Sequence, residues 1–314
     1  MHILITGANG FIGRHLIKSL LAKSCPLSPT RLTVMDLVLD MIPEHPLIKK
    51  VAGSFNEDKF LTAAMDENVD LVYHLASVPS GLAEKNYALG VDINVHGTMT
   101  LLEKLKDQDK KATMVFASSI AVFGRPESVE VNDDTLPTPN LSYGGQKVIG
   151  ETLVADYVRR NWIKGCSVRL PGIVARPPEP NGAVSIFFSD LIRRLSSGET
   201  FICPVSPQAK SWLMSISCCV DNLIIAASLK HETRRTWTLP AMHVSIHDLV
   251  STINDQISNH DVPSLISYDP DPWVEENFGS YPPLNCPESE AAGFFHDGNI
   301  QRLVSNSLEG LENR

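Results

Sequence analysis

"HILITGANGFIG" (residues 2–13) sets a short apolar run against three glycines, Gly7, Gly10 and Gly13, and its reading decides the fold. The run from His2 to Thr6 is rich in β-branched and apolar residues and stops at glycine, as a buried strand does. From Phe11 to Lys23, apolar residues at Phe11, Ile12, Leu16, Leu20 and Leu21 keep a helical period. The glycines therefore lie between a strand and a helix. A pyrophosphate site at such a junction needs small residues for three reasons. One glycine permits the tight turn, another lets the backbone approach the ligand, and the third packs helix against strand. Exposed N–H groups and the positive helix end supply the anion site. Asn9, Phe11 and Ile12 share this turn, and with the three glycines they form the expected cofactor-binding set. A plain structural turn is the alternative, and the surrounding strand, helix and acid weigh against it.

That acid is Asp36, which closes the next apolar run, "RLTVMD" (31–36), 23 residues after Gly13. A carboxylate there accepts hydrogen bonds from ribose hydroxyls and repels a 2′-phosphate, favouring NAD over NADP. Arg14 and Arg31 lie near enough in sequence to soften that exclusion. Further strands are expected at 47–53, 69–76, 112–119 and 165–171, with helices at 57–67 and 91–108 and another around 141–151. Strands alternating with helices imply right-handed β-α-β units, hence an α/β fold with a Rossmann-type doubly wound parallel sheet. Beyond Pro171 the rhythm breaks. "RPPEPNG" (176–182) reads as a proline-rich loop, and 184–198, 220–231 and 245–257 read as helices. "YDPDPWVEENFGSYPPLNCP" (268–287) holds five prolines and reads as irregular. The expected organisation is an NAD-binding Rossmann domain over 1–171. A smaller mixed α/β domain, mostly substrate-binding, follows over 172–314, with segments returning to the sheet.

The chain has 314 residues and a net charge of −9, with no run of Lys or Arg longer than two. Nucleic acid and anionic membrane are not the expected partners. No apolar run reaches the ~20 residues that cross a bilayer, and "MHILITG" is too short for a signal peptide. The six cysteines have no metal-like spacing and read as buried thiols of a cytoplasmic protein. His243 and His247 stand four apart, but no glutamate follows in zinc-protease order, and no metal is expected.

"LSYGGQKVIGE" (141–151) places Tyr143 four residues before Lys147, one turn apart on one helix face. An ammonium beside a phenol stabilises the phenolate and makes it a usable base near neutral pH. The same ammonium can hold the nicotinamide ribose. Ser119 ends the fifth strand, where its hydroxyl can steer a substrate alcohol toward Tyr143. A surface tyrosine and a snorkelling lysine are the bland alternative. Following a dinucleotide loop and a serine-ended strand, the catalytic triad is the reading adopted.

"TGANGFIG", "HLAS" (74–77), "NVHGT" (94–98), "SSIAVFG" (118–124) and "YGGQK" (143–147), in this order, resemble the extended short-chain dehydrogenase/reductases. The resemblance covers residues 1 to about 175. It implies Ser119, Tyr143 and Lys147 as catalytic residues and Asn94 as a support at a helix. It also implies Leu75, Ala76, Ser77, Ser118 and Pro171 as further cofactor contacts, and a homodimer built from helices near 84–106 and 142–161. One departure is Ser54, where members of the family carry an aspartate that contacts adenine. Adenine binding is then expected to be looser or to use backbone groups only.

The second half resembles a narrower branch, the D-erythronate dehydrogenases, in "RLPGIVARPPEPNGAVSIFFSDLIR" (169–193), "CPVSPQAKSWLMS" (203–215) and "SYPPLNCPESEAAGF" (280–294). That branch implies oxidation of the C2 hydroxyl of a small sugar acid with NAD. A carboxylate substrate needs a cation or several donors. Lys210 is the expected cation, and Ser80, Asn181 and Ser185 are expected to meet the hydroxyls, alongside Ser119 and Tyr143. Two other readings stay open: a nucleotide-sugar epimerase or dehydratase that recycles its NAD, and a non-catalytic NAD-sensing regulator.

Overall fold

The computed structural model describes residues 1–178, 184–229, 235–257 and 261–312. The chain divides into two compact units. The first comprises 1–122, 141–169 and 220–237, and the second comprises 123–140, 170–219 and 238–314.

A seven-stranded sheet forms the frame of the first unit. Its order is Ile48–Ala52, Arg31–Asp36, His2–Thr6, Leu71–His74, Thr113–Ser119, Lys164–Leu170 and Thr236–Thr238. His2–Thr6 pairs in parallel with Arg31–Asp36 on one side and with Leu71–His74 on the other. The strand order therefore reverses at the first strand, and a crevice opens at its carboxyl end, where α/β sheets bind ligands. The strands lie under helices on a shared core that includes Leu4, Val72, Met114, Phe116, Leu101, Leu105 and Val154. The expected strands and helices of this half are all present, most with ends moved by one to three residues (Ile48–Ala52 for 47–53, Asp58–Ala64 for 57–67), while the helix around 141–151 runs on to Arg159. The 91–108 segment differs in kind. It opens as a π-helix over Asp92–Gly97 and becomes α-helical only at Thr98–Lys106. Such wide turns insert an extra residue and re-aim side chains, a device common at functional sites.

In the second unit, Lys210–Ser215 runs antiparallel to Met242–Ser245 and parallel to Gly172–Val174. The helices Phe187–Ser196, Ile246–Gln256 and Ile300–Glu312 bury Leu191, Leu195, Leu213, Ile253 and Leu303 together. The stretch 268–287 is more ordered than its prolines suggest. Asp271 accepts from the N–H groups of Trp273 and Val274 at 2.8 and 3.0 Å and caps the helix Pro272–Phe278. Pro272 sits at the first helical position, where its missing N–H costs nothing. Leu284–Asn285 then pairs in parallel with Val131–Asn132. Trp212 is wholly buried, its indole N–H donating to the Pro282 carbonyl at 2.7 Å.

Two of the glycines are dictated by space. A Cβ on Gly7, whose φ is +72°, would stand 2.6 Å from the Ala76 nitrogen. One on Gly13 would stand 2.4 Å from the Gly7 oxygen and 2.6 Å from the Ala8 oxygen. Both obstacles are backbone and cannot step aside. Gly13→Ala should therefore lower unfolding stability by about 1–3 kcal/mol in urea titrations, despite alanine's better helix propensity.

Candidate active site

The glycine turn is held from below by a carboxylate. Asp36 accepts the Asn9 N–H at 2.9 Å and the Leu37 N–H at 2.8 Å. Asn9 in turn donates to Asp40 at 3.0 Å and accepts from the Met41 N–H at 3.1 Å, so the loop beyond Asp36 is tied to the turn. Burial raises the Asp36 carboxyl above its usual range, and the two N–H groups oppose this. The helix Phe11–Leu21 starts at Gly10 with no side-chain cap, which leaves its first N–H groups open to an anion. These are the features a dinucleotide requires: a cradle that any Cβ would fill, a helix N-terminus and a carboxylate beside it. Ser54 bonds Asn56, whose Nδ2 donates to Asp92 at 2.8 Å, so the residue standing for the family's aspartate is engaged within its own loop.

At the carboxyl end of the fourth strand a buried histidine joins three elements. His74 has no exposure. Its Nδ1 lies 2.6 Å from the Thr6 hydroxyl and its Nε2 lies 3.0 Å from that of Thr98. Thr98 donates its own proton to the Asn94 carbonyl at 2.8 Å, so it accepts from Nε2–H. A neutral imidazole here accepts from Thr6 and donates to Thr98. Burial, with the nearby charge of Lys147, carries its pKa down to about 3. His74 is a structural member of the site's foundation and not its base.

Asn94, in the π-helical turn, is 3% exposed. Its Oδ1 accepts the Val78 N–H at 2.7 Å, and its Nδ2 donates to Val78 O at 3.0 Å and Gln146 Oε1 at 2.7 Å. Both amide hydrogens are spent within the protein, so Asn94 acts on the crevice from behind. The segment it holds contains Leu75, Ala76, Ser77 and Ser80, all half-buried after the fourth strand.

The helix Ser142–Arg159 carries Tyr143 and Lys147. Lys147 is 2% exposed, and its Nζ donates to the Ala117 carbonyl at 2.7 Å. Nζ stands 5.4 Å from the centroid of the Tyr143 ring and 4.9 Å from that of Phe116. Burial lowers the Lys147 pKa, while the charges of Tyr143 and Glu151 act to raise it. Tyr143 and Ser119 are half-buried. The Ser119 hydroxyl accepts the Ala121 N–H at 3.1 Å, which leaves its proton free to be donated. The structure brings lysine and tyrosine together as the spacing predicts and sets Ser119 at the end of the strand that carries Ala117.

Ser118 turns the other way. It is 2% exposed and donates to Glu151 at 2.5 Å, while Arg169 grips the same carboxylate at 2.9 and 2.8 Å. Its side chain is therefore engaged with the helix Ser142–Arg159, and a cofactor contact at Ser118 would fall to its backbone. The sequence reading passed over Glu151 and Arg169. The signal was present, since Glu151 lies four residues past Lys147 and shares its helix face.

The remaining expected residues belong to the second unit. Pro171 is buried directly after Lys164–Leu170. Ser185 is half-buried in the short turn Val184–Ile186. Lys210 is exposed at the head of its strand, its N–H bonded to the Gly279 carbonyl at 2.7 Å. Asn181 lies outside the described residues. His243 Nε2 is spent on the Tyr281 carbonyl at 2.8 Å, and all six cysteines are buried and outside any disulfide. No described helix is long and apolar enough to cross a membrane.

A model of the NAD dependent epimerase/dehydratase family matches residues 3–212. The chain is 33% identical to a D-erythronate dehydrogenase of Cupriavidus necator, with 98% of each chain covered. It is 32% identical to one of Haemophilus influenzae, with 98% and 99% covered. A crystal structure described as a nucleoside-diphosphate-sugar epimerase from Agrobacterium tumefaciens superposes with a TM-score of 0.89 at 29% identity, covering 98% of this chain and 94% of that one. The chain belongs to the NAD-dependent epimerase/dehydratase family. Its first unit is the extended short-chain dehydrogenase/reductase frame anticipated from the motifs.

The buried imidazole makes stability depend on pH. Unfolded, His74 takes up a proton as pH falls through 6.5, whereas folded it resists until about 3. The unfolded state binds more protons in that window, so this stability is full above the window and is lost as pH falls. The stability advantage of wild type over His74→Gln should shrink by about 1.4 kcal/mol per pH unit below that ordinary value, measured by urea unfolding. An advantage that does not vary with pH would show the imidazole to be charged in the folded protein.

Proposed function

We propose that the chain is an NAD-dependent dehydrogenase that oxidises the C2 hydroxyl of a small sugar acid, of the D-erythronate kind, to the 2-keto acid. The observation that carries this reading is the placement of Lys147, a buried ammonium held against the ring of Tyr143, on the crevice side of a dinucleotide-type frame. The two relatives named for D-erythronate oxidation, similar over nearly the whole length, support the substrate class.

NAD, when bound, supplies the hydride acceptor. Gly7, Asn9, Gly10, Phe11, Ile12 and Gly13 would hold its pyrophosphate, and Asp36 its adenosine ribose. The Asp36 carboxylate would repel a 2′-phosphate, so NAD is favoured over NADP. Leu37, Val38 and Met41, exposed beyond Asp36, offer no positive charge to offset that repulsion. Ser119 donates its free proton to the substrate alkoxide oxygen as it forms and orients it toward Tyr143. Tyr143 takes the C2 hydroxyl proton as general base. Lys147 makes this possible by stabilising the phenolate through space, from a site where water does not screen its charge.

The helices Tyr87–Val91, Thr98–Lys106 and Ser142–Arg159 leave Tyr87, Met99 and Ile149 exposed at 65%, 44% and 46%. We assign this apolar surface to pairing with a second copy of the chain. Ile149→Glu should shift the protein toward monomer in sedimentation velocity.

An absorbance rise at 340 nm across a panel of four- to six-carbon aldonates, with NAD and then NADP, tests the main reading. Turnover should appear with NAD and fall at least tenfold with NADP, about the cost of one repelled phosphate contact. Conversion of a nucleotide sugar without net absorbance change would instead favour the epimerase reading that the Agrobacterium structure's description suggests. Tyr143→Phe should cut kcat by about 10²–10⁴-fold while NAD binding, followed by calorimetry, is retained. Full activity in that variant would remove the phenol from the mechanism.

A further inference from the structure

Gln146 stands between Tyr143 and Lys147 in the sequence yet has no part in the proton transfer. Its side chain is 3% exposed. Its Oε1 accepts the 2.7 Å bond from Asn94 Nδ2, and its Nε2 meets no partner among the described residues. Asn94 meanwhile addresses both backbone groups of one residue, Val78, as acceptor at 2.7 Å and donor at 3.0 Å. Only one orientation of that carboxamide does this. Flipped, it would set carbonyl against carbonyl and N–H against N–H. Val78 thus fixes the way the Asn94 amide faces, and its second Nδ2 hydrogen goes to Gln146, which ties that amide to the helix Ser142–Arg159.

Gly90 supplies the room. A Cβ there would stand 2.6 Å from Gln146 Nε2 and 3.0 Å from Oε1. Gly90 lies inside the helix Tyr87–Val91 and is not among the glycines with positive φ. Local backbone conformation does not call for glycine at this position, and the space taken by the Gln146 amide does. The π-helical turn, the segment over 75–80 and the helix Ser142–Arg159 thus meet in one buried polar contact, against which Gly90 of the short helix packs.

We propose that Gln146 is a positioning residue, which through Asn94 holds the loop bearing Ser77 and Ser80 in register with Tyr143 and Lys147. Its bearing on turnover rests on the reading of that pair as the reacting one. The clamp itself rests on geometry alone.

Two variants approach the contact from opposite sides. Gln146→Met keeps the volume and removes the acceptor. Gly90→Ala leaves Gln146 in place and drives its amide aside, while favouring the helix on propensity. Both should raise KM for the oxidised sugar acid about three- to tenfold, the worth of one hydrogen bond, with kcat changed by about twofold or less. In both, the Val78 amide should exchange with solvent faster by a similar factor, a readout independent of activity. Gly90→Ala placed on Gln146→Ala should add almost nothing, since no amide remains to be displaced. Unchanged Val78 exchange in the two single variants, or fully additive losses in the double one, would overturn the clamp. A wild type that oxidises no aldonate would sink the functional reading alone, and Val78 exchange would still decide the clamp.

Discussion

A buried ammonium, that of Lys147, governs the polar contacts around Tyr143 in the first unit. Moving an isolated amine cation out of water carries a heavy desolvation cost, which ordinarily drives the group to shed its proton. Lys147 is 2% exposed, so the fold must offer what water no longer does. It offers the Ala117 carbonyl, the π-faces of Tyr143 and Phe116, and the charge of Glu151 one helical turn away. Glu151 in turn is held in place by Ser118 and by a two-pronged grip from Arg169. The Lys147 charge beside the Tyr143 ring is therefore held by groups packed around it, and the base proposed at Tyr143 would draw on that charge.

The same cation sets the state of its neighbours. His74 is held neutral by burial and by Lys147, and neutrality lets it accept from Thr6 and donate to Thr98. A protonated imidazole would have to donate at both nitrogens, and the chain of hydroxyls from Thr6 to the Asn94 carbonyl would lose its direction. Packing works toward the same end. Gly150 rests on the Phe116 ring, where a Cβ would stand 2.5 Å from a ring carbon, so the catalytic helix seats directly on the strand that ends in Ser119.

The frame of the first unit was legible in the residues because each signal was local. The turn at Gly7, the acid at Asp36 and the Tyr143–Lys147 spacing all concern residues within one or two adjacent elements, where period and steric rule apply directly. The misses were not local. The stretch 268–287 reads as irregular from its prolines, yet Asp271 and Pro272 are a helix start. Whether such a start is used depends on what the helix then packs against, here the core holding Val274 and Phe278. The π-helical turn over Asp92–Gly97 has the same side-chain period as a helix to within a residue, so nothing in the pattern separates the two.

By itself, then, the sequence determined the class of fold, the glycine turn after the first strand and the nearness of Tyr143 to Lys147, since spacing along one helix or across one turn sets those. Tertiary structure alone decided which polar side chains face the crevice and which are spent behind it. Ser118 and Ser119 are neighbours in the chain, but the strand's alternation sends one to Glu151 on the helix Ser142–Arg159 and leaves the other's proton free. Asn94 and Gln146 are 52 residues apart and meet through one hydrogen bond. No rule of local spacing pairs residues so distant, because the contact exists only once the helices have packed.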